Sequence, residues 1–269
     1  MMQLETAHKL ATALASLRPA APAITIYPLT PDGRSWVLHA KQWWPVGSTL
    51  ESMWCARPVE PTSGRIMGRV VDFPRRTRAY GCDYTYTGQT QRAAPIDHAP
   101  LFVQEVFSAL QGVDTLQGHN AALLNWYDAD LNEYMGPHSD DERDLVPLAP
   151  VVSLSWCSPG HFRRFRFTPR QGVGDALLPT WDGNAKMPGV INMFDGCLVI
   201  MGGQCQLTHK HELMKVRSKE VHEKSGRRIN LTMRAFRKQK SDSSLSATDR
   251  RHGKRERDED AQVTSKSPI

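Results

Sequence analysis

The sequence predicts a mainly β protein with flanking helices (α+β), of the sandwich or barrel type. Two segments have helical periodicity, residues 3–17 and the amphipathic run of residues 100–113, which ends near Gly112. Short strand-like runs separated by polar turns fill most of the second half of the chain. These runs are Leu123 to Tyr127, Val151 to Trp156, His161 to Thr168, Cys197 to Met201 and Ile229 to Phe236.

The 269 residues allow one large domain or two small ones. We expect residues 1–60 to form an N-terminal helix and an irregular, Pro- and Trp-rich extension packed on the core. Residues 61–237 are predicted to form the main domain, with a hairpin near residues 72–90 and a long inserted loop at 171–193. Residues 238–269 contain many charged and few apolar residues, which predicts a disordered basic and acidic tail.

Composition places the chain among globular proteins and indicates an intracellular one. The chain is 40% hydrophobic and 23% charged, has no run of 18 apolar residues and begins without a secretory leader. Its five cysteines form no CxxC pair, which fits reduced thiols. We therefore expect a monomer in the nucleus or cytoplasm, without a membrane partner; the basic cluster at residues 250–257 fits either a nuclear signal or solvated tail charge.

One short motif predicts a metal site. His138 and Asp140 are two residues apart, so in an extended strand their side chains point to the same side. Two histidines and one carboxylate on one face of an octahedral ion are typical of non-haem Fe(II) oxygenases. His211 is the candidate third ligand, and His209 competes with it. Without a second motif, the His-x-Asp spacing is common by chance.

A second motif predicts a site for an anion. Residues 228–234 alternate strictly, which places Arg228, Asn230, Thr232 and Arg234 on one face of a strand. Two arginines on one face need an anion or water beside them, and guanidinium groups bind carboxylates through paired hydrogen bonds. A dicarboxylic cosubstrate satisfies both arginines. The alternative is an edge strand that faces solvent.

Together these motifs resemble the AlkB-like Fe(II)/2-oxoglutarate-dependent dioxygenases, most closely the branch that repairs alkylated nucleic acids. The resemblance covers residues 69–236 and includes, in order, FPRRT, YTYTG, NWY, HSDDE, His211 and RINLTMR. It implies a double-stranded β-helix (jelly-roll) core. The YTYTG run, which contains Tyr84 and Tyr86, is similar to the family's aromatic substrate hairpin.

The resemblance also implies a role for individual residues. The implied iron ligands, around which catalysis is centred, are His138, Asp140 and His211. The implied 2-oxoglutarate contacts are Asn125, Tyr127, Arg228, Asn230, Thr232 and Arg234. The implied substrate contacts are Asp141, Glu142, Tyr84, Tyr86, Arg75 and Arg76. Candidate contacts to backbone phosphates, each equally consistent with ordinary solvated charge, are Arg75, Arg76, Arg78, Arg163, Arg164 and Arg166.

The implied activity is oxidative demethylation of DNA or RNA bases of the 1-methyladenine and 3-methylcytosine type. Its cofactor and cosubstrates are Fe(II), 2-oxoglutarate and O2, and its products include formaldehyde, succinate and CO2. The net charge of +6 is compatible with alkylated nucleic acid as a partner. Two alternatives stay open: the same oxygenase acting on a protein, a tRNA modification or a small molecule, and a non-catalytic basic nucleic-acid-binding module that ignores iron and 2-oxoglutarate.

Overall fold

The computed structural model describes residues 2–66, 68–86, 89–181, 186–216 and 225–237. Residues 1–237 form one compact unit. The predicted disordered tail and its basic cluster lie outside the described residues. Within the described ranges, no helix is both long enough and apolar enough to cross a membrane.

Fifteen strands and four α-helices make up the described part of the chain. The helices are α1 (Met2–Leu17), α2 (Leu50–Trp54), α3 (Leu101–Gln111) and α4 (Cys205–Thr208), with 3-10 turns at Gly47–Thr49, Ile96–His98 and Asp114–Leu116. The strands are β1 (Thr25–Pro28), β2 (Ser35–Ala40), β3 (Ser63–Ile66), β4 (Arg69–Asp72), β5 (Arg76–Tyr80), β6 (Tyr84–Tyr86), β7 (Gln89–Gln91), β8 (Ala121–Tyr127), β9 (Met135–His138), β10 (Val151–Cys157), β11 (Arg163–Pro169), β12 (Val190–Met193), β13 (Cys197–Gly203), β14 (His209–Leu213) and β15 (Arg228–Arg234).

Two antiparallel sheets face each other across the interior. The larger has the order β1-β2-β13-β10-β15-β8-β5, and the smaller has the order β12-β11-β14-β9. Phe165, Phe167 and Ile191 of the smaller sheet pack in one cluster with Val199 and Met201 of the larger sheet. This arrangement confirms the predicted mainly β, jelly-roll class.

The two long helices cover the outer face of the larger sheet. Side chains of α1 and α3 share one apolar cluster with Ile229, Leu231 and Met233 of β15. The polar residues of β15 that alternate with these three therefore point the other way, toward the smaller sheet. Because β15 lies between β8 and β10 and is buried along its length, it is not an edge strand that faces solvent.

The N-terminal extension is more regular than the sequence predicts. Strand β2 pairs with β13, with Val37 opposite Met201, and so belongs to the larger sheet. Trp36 and Trp43 are fully buried. Both faces of β2 are covered, so its sequence SWVLHA lacks the polar and apolar alternation that reveals a half-exposed strand. The domain boundary at residue 60 stays a prediction.

One predicted loop also contains a strand, and the predicted hairpin contains two. The last four residues of the predicted loop 171–193 form β12, which pairs with β11. The hairpin expected near residues 72–90 contains β6 and β7, with Tyr84 opposite Gln91. Residues 87–88 at its tip and residues 182–185 of the loop lie outside the described ranges.

Candidate metal and cosubstrate site

Three potential metal ligands meet between the two sheets. His138 is the last residue of β9, Asp140 follows two residues later, and His211 lies opposite His138 on the paired strand β14. Their ligand atoms all lie within 4.8 Å of one another. The two imidazole centroids are 4.3 Å apart, and His211 Nε2 lies 3.7 Å from Asp140 Oδ2. Pairing of two short strands thus brings together residues that are more than seventy positions apart in the chain.

The donor atoms of this cluster fit a divalent cation. His138 Nδ1 lies 2.9 Å from the Gly136 carbonyl oxygen, so Nδ1 carries the proton and Nε2 keeps its lone pair. Asp140 Oδ2 is buried and has no hydrogen-bond partner within the described residues. A buried carboxylate oxygen without a partner is costly, and a metal ion is the partner that two adjacent imidazoles also require.

His209, the competing third ligand, points away from this cluster. Its Nε2 lies 3.0 Å from the carbonyl oxygen of Leu177, and its Nδ1 lies 2.9 Å from the Thr208 hydroxyl. Both ring nitrogens are therefore engaged elsewhere. His209 is the first residue of β14 and lies opposite Pro169 of β11, whereas His211 lies opposite Phe167 of β11 and His138 of β9.

The protonation states of the cluster suit metal binding. Burial lowers the pKa of His138, and it lowers the pKa of His211 to about 3, so both rings are neutral at neutral pH. Burial is the largest single influence on the pKa of Asp140 and raises it, but the charge of Arg234, the Arg234 hydrogen bond and the two neighbouring histidines together outweigh burial and hold the pKa below its ordinary value. Neutral imidazoles and an ionised carboxylate are the forms that bind a divalent metal.

The alternating residues of β15 form the floor of the same cavity. Asn230 lies opposite Asn125 of β8 and Ser155 of β10. Its Oδ1 accepts a hydrogen bond from Ser153 at 2.8 Å, and its Nδ2 donates to Thr232 at 2.7 Å. This central strand therefore has a continuous polar face inside the barrel, oriented by hydrogen bonds along and across the sheet.

The two arginines on this face have different partners. Arg234 Nη2 donates to Asp140 Oδ1 at 2.5 Å, and its guanidinium lies 5.3 Å from the ring centroid of Tyr84. Arg228 Nη2 donates to Ser155 Oγ at 2.8 Å, and its guanidinium lies 5.2 Å from the Tyr127 ring centroid. No carboxylate of the described chain pairs with Arg228, although it is 2% exposed.

All the predicted metal and cosubstrate residues line one cavity. Two predicted substrate residues, Arg75 and Tyr84, line it as well. The predicted residues that the cavity brings together are Arg75, Tyr84, Asn125, Tyr127, His138, Asp140, His211, Arg228, Asn230, Thr232 and Arg234.

The remaining predicted substrate residues lie elsewhere. Asp141 is exposed and Glu142 half-buried, and both border a neighbouring apolar pocket that also includes Val146 and Leu148. Burial raises the pKa of Glu142. The side chain of Tyr86 lies outside the described part of the structure. Tyr84 itself is buried beside Arg234, so it is a wall of the cavity and not an exposed platform.

The predicted phosphate contacts differ in exposure and in pairing. Arg75 is buried and Arg163 almost fully so, while Arg76 lies 2.9 Å from Glu133 Oε1 and Arg166 lies 2.6 Å from Glu212 Oε1. None of these four presents an unpaired charge to solvent in this structure. Among the candidates, Arg78 is exposed and Arg164 is half-buried.

Sequence reasoning missed three residues that orient the site. Ser153 and Ser155 bond to Asn230 and Arg228, and Gln206 Oε1 accepts a hydrogen bond from the Asp140 backbone N–H at 2.9 Å. The run VVSLSW carried a signal for the serines, because its alternation places both on the face that β15 completes. Gln206 carried none, since its contact depends on how α4 packs.

Comparisons with known proteins identify the family of this chain. Residues 54–234 match the family model described as the 2OG-Fe(II) oxygenase superfamily. The chain is 29% identical to the human DNA oxidative demethylase ALKBH2 over 175 residues, which are 63% of this chain and 59% of the relative. Bovine ALKBH2 is 28% identical over 174 residues, 63% of this chain and 56% of the relative. These matches confirm the AlkB-like resemblance.

The remaining comparisons are more distant or partial. Mouse ALKBH2 is 27% identical over 173 residues, 63% of this chain and 65% of the relative. The matched part of this chain thus spans less than two thirds of each of these relatives. The solved structure of OsALKBH1 aligns with a TM-score of 0.37 at 13% identity, over 85% of this chain and 91% of that chain.

Proposed function

Because the chain belongs to the 2OG-Fe(II) oxygenase superfamily, we propose that it is an Fe(II)- and 2-oxoglutarate-dependent oxidative demethylase of nucleic acid bases. Its substrates are N-alkylated bases of the 1-methyladenine and 3-methylcytosine type in DNA or RNA. One observation carries the proposal: a buried cluster of two histidines and an aspartate shares a cavity with an arginine that has no carboxylate partner in the described chain. The relatives named as DNA oxidative demethylases support the choice of substrate.

In this proposal His138, Asp140 and His211 hold Fe(II). With only these three residues as protein ligands, a bound Fe(II) would keep capacity for the cosubstrate and O2. The bound metal supplies oxidation of an N-alkyl carbon by O2, coupled to decarboxylation of 2-oxoglutarate to succinate and CO2. The hydroxylated N-methyl group then loses formaldehyde, and its electron pair returns to the ring nitrogen of the unmodified base.

The residues of this chain bind and orient the reactants. Arg228 provides the buried cation for a cosubstrate carboxylate, and Asn125, Tyr127, Asn230 and Thr232 provide hydrogen bonds around it. Arg234 holds Asp140 in its ionised form through a direct hydrogen bond. The enclosing sheets exclude water from the reacting atoms, which strengthens each of these interactions.

The substrate base has to leave its stack to reach this cavity. A base inside a duplex cannot reach a metal between two sheets, so it is flipped out or starts single-stranded. We assign its contacts to Tyr84 and Arg75, which line the cavity, and to Asp141 and Glu142 at its neighbouring rim. A nucleic acid substrate fits action in the nucleus or cytoplasm.

The test uses the full chain with Fe(II), 2-oxoglutarate and O2. Oligonucleotides of DNA and RNA, single- and double-stranded, carry one 1-methyladenine or 3-methylcytosine. We expect loss of the methyl group with one formaldehyde and one succinate formed per base. The unmodified oligonucleotides serve as the control for uncoupled turnover.

Several outcomes decide between substrates. Succinate formed with a protein, a modified tRNA or a small molecule but with no alkylated oligonucleotide contradicts demethylation of DNA and RNA bases while preserving the oxygenase. Binding of nucleic acid that is independent of metal and 2-oxoglutarate, without succinate formation in any reaction, contradicts the enzyme itself and favours the non-catalytic module.

A further inference from the structure

Asp140 lies just beyond the end of strand β9, which ends at His138. Backbone polar groups in such a position need partners other than a strand ladder. The Asp140 N–H donates to Gln206 Oε1 at 2.9 Å. The hydroxyl of Ser139, the residue between the two metal ligands, donates to the His209 carbonyl oxygen at 3.0 Å. The location of the Asp140 carboxylate therefore depends on contacts with α4 and with the start of β14.

Arg170 contacts the same segments from the end of β11. It is half-buried, follows the last residue of that strand and precedes the predicted loop 171–193. Its Nη1 donates to Ser139 Oγ at 3.3 Å and to the Gln206 carbonyl oxygen at 3.1 Å. Its backbone N–H donates to the Thr208 carbonyl oxygen at 2.9 Å. One residue therefore contacts the chain between the first two metal ligands, the helix α4 and the residue before β14.

Arg170 and Ser139 thereby connect the two segments that carry the metal ligands. The ladder between β9 and β14 pairs His138 with His211, and its register shifts just after that pair. The hydrogen bonds of Arg170 and Ser139 join the same two segments on the other side of the pair. Outer contacts of this kind orient metal ligands, and their loss typically lowers metal affinity.

The predicted loop that follows Arg170 also has a separate anchor at the surface. Arg34 Nη1 and Nη2 donate to the two carboxylate oxygens of Asp175, at 2.6 and 2.7 Å. Arg34 Nη1 also donates to Asp32 at 2.9 Å. Because a substitution of Arg34 leaves the hydrogen-bonding groups of Arg170 in place, it separates the attachment of the loop from the contacts beside the metal cluster.

We propose that Arg170 is a positioning residue of the metal site. It holds Ser139 and the Gln206 carbonyl in place and so fixes Asp140 relative to His211. It acts through these neighbours and not as a metal ligand, because a guanidinium has only donors. This inference rests on the proposed function, because it takes the two histidines and the aspartate of the cluster as ligands of a divalent ion.

The test measures binding of Co(II) by the full chain, because the visible absorption of this ion reports the geometry of its ligands. The metal-free protein is titrated with Co(II), and His211→Ala is the reference for binding elsewhere. We expect Arg170→Met to weaken Co(II) binding by about tenfold and to alter the absorption bands of the bound ion. Arg170→Lys retains a donor for Ser139 Oγ and restores part of the affinity.

The matched control is Arg34→Met, which removes the surface anchor of the same loop. Because the ion pairs of Arg34 are exposed, we expect the Co(II) dissociation constant to change by less than about twofold and the spectrum to stay the same. Folded Arg170→Met that is less stable but binds Co(II) with wild-type affinity and spectrum shows a purely structural role and overturns the inference. Equal weakening in Arg34→Met and Arg170→Met also overturns it, since the attachment of the loop is then the cause.

Ser139→Ala keeps the inference testable if Arg170→Met does not fold. It removes the hydroxyl that accepts from Arg170 and donates to His209, so we expect Co(II) binding to weaken by about threefold or more. An unchanged dissociation constant in Ser139→Ala then overturns the inference. A wild-type chain that binds no more Co(II) than His211→Ala overturns the proposed function together with this inference, whereas wild-type binding that neither variant changes overturns this inference alone.

Discussion

The two ends of strand β15 carry the same residue type in opposite electrostatic situations. Arg234 is buried against Asp140, whose charge it balances within the metal cluster. Arg228, six residues earlier on the same face, is just as buried but bonds only to neutral groups, among them Ser155 and Asn230. The comparison separates an arginine that completes a site from one that requires a ligand.

The titration behaviour of the two groups follows this difference. Burial lowers the pKa of Arg228 below its ordinary value. Burial also lowers the pKa of Arg234 and is its largest single influence, but the charges of Asp140 and Glu142 and the Asp140 hydrogen bond together outweigh burial and raise the pKa. Removing Arg234 is therefore expected to lower the stability of the ligand-free protein. Removing Arg228 is expected mainly to weaken the binding of 2-oxoglutarate.

The largest effect we expect comes from the metal end. His138→Ala removes a proposed iron ligand and reduces 2-oxoglutarate-dependent turnover to background, roughly a thousandfold or more. The measurement is succinate formed per minute by folded protein with an alkylated oligonucleotide. His209→Gln is the control and keeps most of the activity, because His209 bonds to Thr208 and Leu177 outside the cluster. Activity retained in His138→Ala contradicts the ligand assignment.

Arg234→Met is expected to lower the free energy of unfolding of the metal-free protein by roughly 3–5 kcal/mol, because it leaves Asp140 as a buried charge without its partner. Denaturant unfolding measures the change. Added Mn(II) recovers part of it, since the cation replaces the lost positive charge. An unchanged unfolding midpoint contradicts the pairing.

Arg228→Met tests the other end of β15. We expect it to weaken 2-oxoglutarate binding to the Mn(II)-loaded protein by about a hundredfold, because a charge-assisted bidentate contact is lost. Mn(II) affinity stays the same, and the free energy of unfolding changes by only about 1 kcal/mol. If this variant loses as much stability as Arg234→Met, the two ends do not differ as described.

The metal end also has a predictable pH dependence. His211 has a pKa of about 3 in the fold against 6.5 as the ordinary value, so below about pH 6.5 the unfolded chain binds a proton that the folded chain does not. Stability of the metal-free protein is therefore complete above this pH and falls as the pH drops. At about pH 5, the neutral His211 lowers the free energy of unfolding of the wild type by about 2 kcal/mol, and His211→Gln does not show this decrease.

This pH prediction is checked by denaturant unfolding of the chelator-treated wild type and His211→Gln between neutral and weakly acidic pH. A difference between the two proteins that does not depend on pH contradicts a neutral, buried His211. The other histidines with lowered pKa values are His119, His138 and His209, and all three are present in both proteins. His119 and His209 lie outside the cluster and cancel in the comparison, whereas His138 contacts His211.

The smallest expected effect concerns Arg76 at the rim. Its charge is already paired with Glu133, so Arg76→Ala changes the dissociation constant for an alkylated oligonucleotide by less than about threefold. Binding measured by fluorescence anisotropy tests this expectation. If Arg76→Ala weakens oligonucleotide binding by much more than threefold, Arg76 contacts the phosphate backbone directly.

The sequence predicts the site better than the surrounding surface. The alternation of β15 and the spacing of His138 and Asp140 are local patterns. Each predicts the orientation of its side chains, because strand geometry alone fixes which side chains share a face. The hydrogen-bond partners of Arg76 and Arg163 lie far from them in the chain, so charge alone does not predict which way these side chains point.

Two other features were hidden for a related reason. Strand β2 is buried on both faces, so its pattern carries no period of two. Gln206 reaches the backbone of Asp140 only because α4 packs beside the metal cluster. The burial of β2 and the contact of Gln206 both depend on packing between distant segments, which no local sequence pattern predicts.

The central claim is that His138, Asp140 and His211 form one iron site beside the β15 arginines. Anaerobic titration with Fe(II), followed by 2-oxoglutarate, tests it most directly. We predict one tightly bound Fe(II) per chain in the wild type and in His209→Gln, and none in His138→Ala, Asp140→Ala or His211→Ala. Retention of the metal in His211→Ala together with its loss in His209→Gln contradicts the account.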